Sequence, residues 1–126
     1  ISTTDRDKIF LDKINAIIER NMGDAEFKLD TYAPALGLGR TTFYSKLKSI
    51  VGCSPNEYVR LLRMKRAAEL LITSDINISE AGYQVGINDP FYFSKCFKNT
   101  FGKSPSQYRK SAGKTDMEEN TGEENQ

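Results

Sequence analysis

Histidine and tryptophan are both absent from the 126 residues, and cysteine occurs only twice. Without histidine the chain lacks the commonest general base near neutral pH and the commonest metal ligand. Cys53 and Cys96 stand 43 positions apart, so there is no C-x-x-C pair and no zinc spacing. Both are expected to be ordinary thiols in a reducing cytoplasm. Long apolar runs are missing as well. Ile17-Ile18 and Leu70-Leu71-Ile72 are short, against the ~20 residues of a membrane span, and no signal-peptide layout is present. These absences weigh against a metalloenzyme, a disulfide-rich secreted domain and a membrane protein. No catalytic residue, metal site or cofactor is expected. The chain begins at Ile1 rather than Met and is read as a piece of a longer protein.

What is present is an ordinary soluble composition, 38% hydrophobic and 28% charged, long enough for one core without a metal or disulfide staple. The net charge of +1 hides a strong asymmetry. Residues 1–39 carry five basic and seven acidic groups, residues 40–110 twelve and five, and residues 111–126 one and five. The middle segment is therefore +7, the sign expected of a surface that meets an acidic partner. The end, GKTDMEENTGEENQ, has one apolar residue and a run of like charge, so residues 113–126 read as a disordered acidic tail.

Residues 1–112 carry helical patterning throughout. Thr4 and Asp7 form a start signal, followed by Phe10, Ile14, Ile17 and Ile18 at helical spacing up to Met22 and a stop at Gly23. Further helices are expected at about 29–36, 40–51, 55–72, 78–85, 90–101 and from Ser104 onward. Ser54-Pro55-Asn56-Glu57 and Ser104-Pro105-Ser106-Gln107 are two capping boxes with proline at the first helical position. Pro34 should lose the bond to the carbonyl of Asp30 and kink its helix. No segment alternates with period two at strand length. The fold class is all-α, with seven helices.

The two capping boxes belong to an internal repeat. GCSPNEYVR at 52–60 matches GKSPSQYRK at 102–110 at an offset of 50, and Phe43, Leu47 and Lys48 pair with Phe93, Phe97 and Lys98 at the same offset. Before the turns the offset is 49, pairing Leu29 with Ile78, Leu36 with Val85 and Gly37 with Gly86. Any two helical hairpins share Gly turns and apolar spacing, but such generic likeness does not produce a shared S-P and Tyr. Each repeat is a short helix, a glycine turn and a second helix, the layout of a helix-turn-helix.

The run from Ala67-Ala68-Glu69-Leu70-Leu71 through Ile78, Val85-Gly86-Ile87 and Tyr92-Phe93-Ser94-Lys95-Cys96-Phe97-Lys98 to Gly102-Lys103-Ser104-Pro105-Ser106-Gln107-Tyr108-Arg109 resembles the signature of AraC/XylS-type transcription regulators. The string RTTFYSKLKSIVGCSPNEYVRLLRMKRAAELL further resembles the version fused to hybrid two-component sensors of gut Bacteroidetes. The resemblance implies two homeodomain-like helix-turn-helix subdomains, at about 29–51 and 78–101, joined by a long bridging helix at 55–72. Their recognition helices would lie in successive major grooves of double-stranded DNA. It also implies a cytoplasmic output domain that is not itself an enzyme. The full-length protein would carry a histidine kinase, an inner-membrane anchor and upstream domains that dimerise. Gly39 stands where the family usually has a Ser cap, and Ala81 and Gly82 where it has a larger aliphatic and Ala. Gly82 costs up to ~1 kcal/mol of helix propensity.

Base-reading candidates are Arg40, Thr41, Tyr44 and Ser45 on one helix and Pro90, Phe91, Tyr92 and Lys95 on the other. Arginine pairs bidentately with guanine, and threonine or an aromatic ring suits a thymine methyl. Phe91 either contacts thymine methyls or covers a helix junction. Asp89 either caps its helix or accepts from cytosine. Phosphate candidates are Lys48, Ser54, Lys98, Lys103, Ser104 and Arg109, with the amides at the helix starts. Arg60, Arg63, Lys65 and Arg66 form either a solvated basic face or further phosphate contacts. Tyr58, Leu61, Leu62, Ala68 and Leu71 are expected in the core. The alternative function is a helical interaction module docking an acidic partner such as RNA polymerase. The acidic tail is a candidate competitor for the basic face.

Overall fold

The computed structural model describes residues 4–113. Among the described residues are six α-helices and no strand: α1 (Asp5–Arg20), α2 (Arg40–Val51), α3 (Pro55–Thr73), α4 (Ile78–Gln84), α5 (Pro90–Phe101) and α6 (Pro105–Ser111). The all-α expectation holds with one α-helix fewer. Residues 29–36 form two 3₁₀ turns instead, Leu29–Tyr32 and Pro34–Leu36. Pro34 is the cause: it has no N–H for the carbonyl of Asp30, and its ring crowds that carbonyl. The Asp30 carbonyl accepts from Ala33 N–H at 3.2 Å, closing a tighter turn. α1 also ends before Met22. The Asn21 amide turns back onto the Ile17 carbonyl at 2.8 Å and occupies the helix end. From residue 114 on, the expected tail lies outside the described residues.

The described residues form two compact units, 4–22 with 26–62 and 23–25 with 63–113. α3 starts in the first and ends in the second.

In the first unit, α1 buries Phe10, Ile14, Ile17 and Ile18 along one stripe, and α2 buries Phe43, Leu47 and Ile50. Phe10 and Phe43 meet edge-on at 6.3 Å. Tyr58, from α3, donates its hydroxyl to Asn15 Oδ1 at 2.6 Å. Full burial of a side chain such as Phe43 contributes ~1.5–3 kcal/mol.

In the second unit, Met64, Ala67, Ala68 and Leu71 of α3 are buried with Ile78, Ala81 and Val85 of the α4 region and with Phe93 and Phe97 of α5. Phe97 packs edge-on against Phe93 and Tyr108, at 5.9 and 5.3 Å. Gly82 has a packing reason despite its helix cost. A Cβ there would sit 3.0 Å from Cγ of Phe93 and 3.2 Å from the Ile87 carbonyl.

The sequence repeat is a structural repeat. Phe43 and Phe93 are both fully buried, as are Leu47 and Phe97. Gly52 and Gly102 end their helices at φ 85° and 77°, the left-handed conformation that glycine adopts without a Cβ penalty. Both capping boxes form: Glu57 N–H donates to Ser54 Oγ and Gln107 N–H to Ser104 Oγ, each at 3.2 Å.

Two expectations on α3 need correction. Leu61 is 41% exposed rather than core, and Arg63 is 7% exposed rather than part of a solvated face. At about 3.6 residues per turn Leu61 stands near Ala68 and Arg63 near Ala67, at opposite edges of the buried stripe, so helical spacing by itself settled neither burial. Arg63 donates to the carbonyls of Val85 and, at 3.0 Å, Asp24. Burial lowers its pKa from the ordinary arginine value, and the Asp24 charge opposes that shift.

Candidate nucleic-acid interface

α2 begins where Leu38 and Gly39 lead out of the 3₁₀ turns, and Gly39 offers no side-chain cap. With Phe43 and Leu47 held in the core, geometry turns the other residues outward. Arg40, Thr41, Tyr44, Ser45 and Lys48 are all exposed. The Lys48 ammonium lies 5.9 Å from the centre of the Tyr44 ring. The first turns of α2 and the start of α3 enclose a cleft of about 460 Å³ lined by Arg40, Thr41, Tyr44 and Ser45 together with Asp30 and Asn56. Arg40 Nε is 3.6 Å from Asp30 Oδ2.

Ser54 also lines this cleft. Its N–H donates to Glu57 Oε1 at 2.9 Å and its hydroxyl accepts from Glu57 N–H. These bonds hold the Glu57 carboxyl below its usual pKa, with further help from the charges of Arg60 and Lys48. A carboxylate therefore covers the amide at this helix start.

α5 repeats the arrangement in the second unit. Asp89 Oδ1 accepts from Phe91 N–H at 3.0 Å, so the cap expected of Asp89 is formed. Phe93 and Phe97 anchor the buried side. Phe91 is 74% exposed and Tyr92 49% exposed, and Lys95 and Lys98 are exposed with them, while Pro90 is half-buried at the helix start. Exposure on this scale leaves Phe91 covering no helix junction. A ring this exposed adds little to the core.

Lys103 is exposed, and its ammonium donates to Ser111 Oγ at 2.8 Å. Two phosphate candidates are corrected. Arg109 is 3% exposed, with its guanidinium on the carbonyls of Leu71 and Ile76. Ser104 is 1% exposed, and its hydroxyl and N–H are both used in the cap with Gln107. Both side chains are buried and already hydrogen-bonded within the chain. Sequence spacing missed Asp30 and Asn56, because only the folding of the 3₁₀ turns and of α3 onto α2 brings them to Arg40.

No group of three or more His, Cys, Asp or Glu that could hold a metal ion occurs among the described residues. No helix among them is long and apolar enough to cross a membrane.

Comparison with known proteins agrees with this geometry. The family described as "Helix-turn-helix domain" matches residues 32–111. The chain is 43% identical over 109 residues to histidine kinase P4 of Formosa agariphila, a match covering 86% of this chain and 8% of that protein. It is 36% identical over 103 residues to the Msm operon regulatory protein of Streptococcus mutans, covering 82% of this chain and 37% of that protein. The chain thus spans well under half the length of these relatives. Among solved structures, the DNA-binding domain of AdpA, a global transcriptional factor in complex with a target DNA, superposes with TM-score 0.72 at 27% identity, over 80% of this chain and 90% of that one. The chain belongs to the AraC family of helix-turn-helix transcriptional regulators, as a sequence-specific DNA-binding domain.

Proposed function

We propose that each unit inserts its own helix, α2 or α5, into a major groove of double-stranded DNA, and that this chain is the output domain of a larger two-component signalling protein. The carrying observation is that the repeat exposes the same face twice. Phe43 with Leu47 and Phe93 with Phe97 are buried, which leaves Arg40, Thr41, Tyr44 and Ser45 on one helix and Phe91, Tyr92 and Lys95 on the other outward. In this reading those residues meet base edges, with Pro90 setting the start of α5. Lys48, Lys98 and Lys103 meet phosphates, and Ser54 lies at the rim of the first contact. The 43% identity to a histidine kinase supports the two-component setting. Membrane anchoring, dimerisation through upstream domains and contact with RNA polymerase are parts of this proposal that concern the whole protein.

The test is selection of bound sites from random DNA, followed by a salt titration. Neutralising about 5–8 phosphates gives a log–log slope near −0.9 per phosphate. Arg40→Ala or Lys95→Ala should cost ~1–3 kcal/mol and relax one base position, while Lys48→Ala should weaken all sequences alike. Selected duplexes bound no tighter than random ones at moderate salt would overturn the reading.

A further inference from the structure

Asp30 is the one acidic residue, and Arg40 the one basic residue, among those lining the cleft at the start of α2. Their side chains are 42% and 72% exposed, and the contact joins Arg40 Nε to Asp30 Oδ2 at 3.6 Å. Stability does not account for the pair, because an exposed ion pair adds little. Two physical consequences do. First, a carboxylate on the Nε side leaves the two terminal guanidinium nitrogens for another partner, and their fork is the shape that matches O6 and N7 of guanine. Arg40 occupies the first position of α2, where the positive end of the helix disfavours a cation. Without Asp30 the guanidinium would be driven away from the helix toward any nearby anion. Second, a fixed negative charge in the cleft repels phosphate, so a backbone-first docking of Arg40 is penalised.

We propose that Asp30 is a specificity-determining residue. It aims Arg40 end-on at base edges and denies it to the phosphate backbone. Its removal then strengthens binding to random DNA and weakens sequence preference at the same time. The inference rests on the base-reading role of Arg40 proposed above.

The experiment uses the full 126-residue chain with two probes: a random-sequence duplex of about 30 base pairs and the duplex recovered by selection with the unsubstituted chain. Asp30→Asn, Asp30→Ser, Asp30→Glu, Arg40→Ala and the Asp30→Asn/Arg40→Ala double variant are compared, with circular dichroism as the check on folding. Asp30→Asn and Asp30→Ser should bind the random duplex about threefold tighter, with a salt slope steeper by about one. They should bind the selected duplex no tighter, and should blur one base position in a repeated selection. Asp30→Glu should restore the preference, and the Asp30→Asn effect on preference should vanish in the Arg40→Ala background. Equal gains on both duplexes, or unchanged preference in the face of a loss from Arg40→Ala, would overturn the role of Asp30 alone. An Arg40→Ala chain that keeps its full base preference would overturn the role of Arg40, and that of Asp30 with it.

Discussion

The Arg109 guanidinium donates from Nε to the Leu71 carbonyl at 2.9 Å, near the end of α3, while its Nη2 reaches the Ile76 carbonyl at 2.6 Å. A charged donor thereby satisfies two carbonyls around the α3–α4 connection, and it tolerates burial because those bonds replace water. Arg109→Ala is expected to lower the stability of the second unit by about 2–4 kcal/mol, since hydrogen bonds to charged groups contribute ~1.5–3 kcal/mol each and are not additive. Arg109→Lys should rescue little, because a single ammonium lacks the fork that spans both carbonyls. Urea unfolding checks this. A purely DNA-binding defect with unchanged stability would contradict it.

Gly39 stands at the start of α2 with φ −75° and ψ 165°. Ser104, which caps α6, has φ −68° and ψ 162°. The backbone already has the shape a capping serine needs, and a Cβ at Gly39 meets nothing within 4 Å. Gly39→Ser should raise stability by about 0.5–1 kcal/mol, through a cap bond and a less flexible unfolded chain. Thermal denaturation checks it; an unchanged or lower midpoint would count against the geometry of this cap.

Glu57 and Gln107 hold equivalent places in the two capping boxes, but only Glu57 titrates. Its pKa is lowered in the folded chain by bonds to Ser54 and by neighbouring cations. A depressed carboxyl pKa contributes stability that is fully present above the unfolded glutamate value, about 4.3, and is lost as pH falls through the lower folded value. Glu57→Gln copies the second box. It should make the denaturation midpoint less sensitive to pH below about 4.3, so that the two chains converge in acid and the Glu57 chain is the more stable at pH 7. Parallel acid titrations of the two chains read the difference directly.

Phe91 is the most exposed of the large apolar side chains identified on the surface, so its removal should leave stability within about 0.5 kcal/mol. Specific binding should weaken with Phe91→Ala. Uracil in place of one thymine of the selected site should produce a similar loss of ~0.8 kcal/mol for a methyl-sized contact. The two losses should not add. Additive losses would show that the ring touches something other than that methyl.

Helix caps and glycine stops were readable in the sequence because each depends on neighbours within a few positions, and the 50-residue repeat because its two copies share residues at a fixed offset. The spacing of Phe43 with Leu47 and of Phe93 with Phe97 likewise sufficed to choose the outward faces of α2 and α5. The 3₁₀ turns at 29–36 were only half readable. Pro34 announced a break, while the way the freed Asp30 carbonyl was satisfied depended on local closure.

Arg63, Arg109 and Ser104 mark where one-dimensional reasoning stops. Arginine and serine on a basic segment look like solvent-facing or phosphate-binding groups. Whether a guanidinium is buried depends on carbonyls brought to it across 22 or more residues, as between Arg63 and Val85 or Arg109 and Leu71. The Asp30–Arg40 pair has the same origin. The sequence by itself determined the helices, their faces and the family. Tertiary packing alone decided which cations remain at the surface to meet DNA, because burial of a charge is settled by the acceptors that folding places around it.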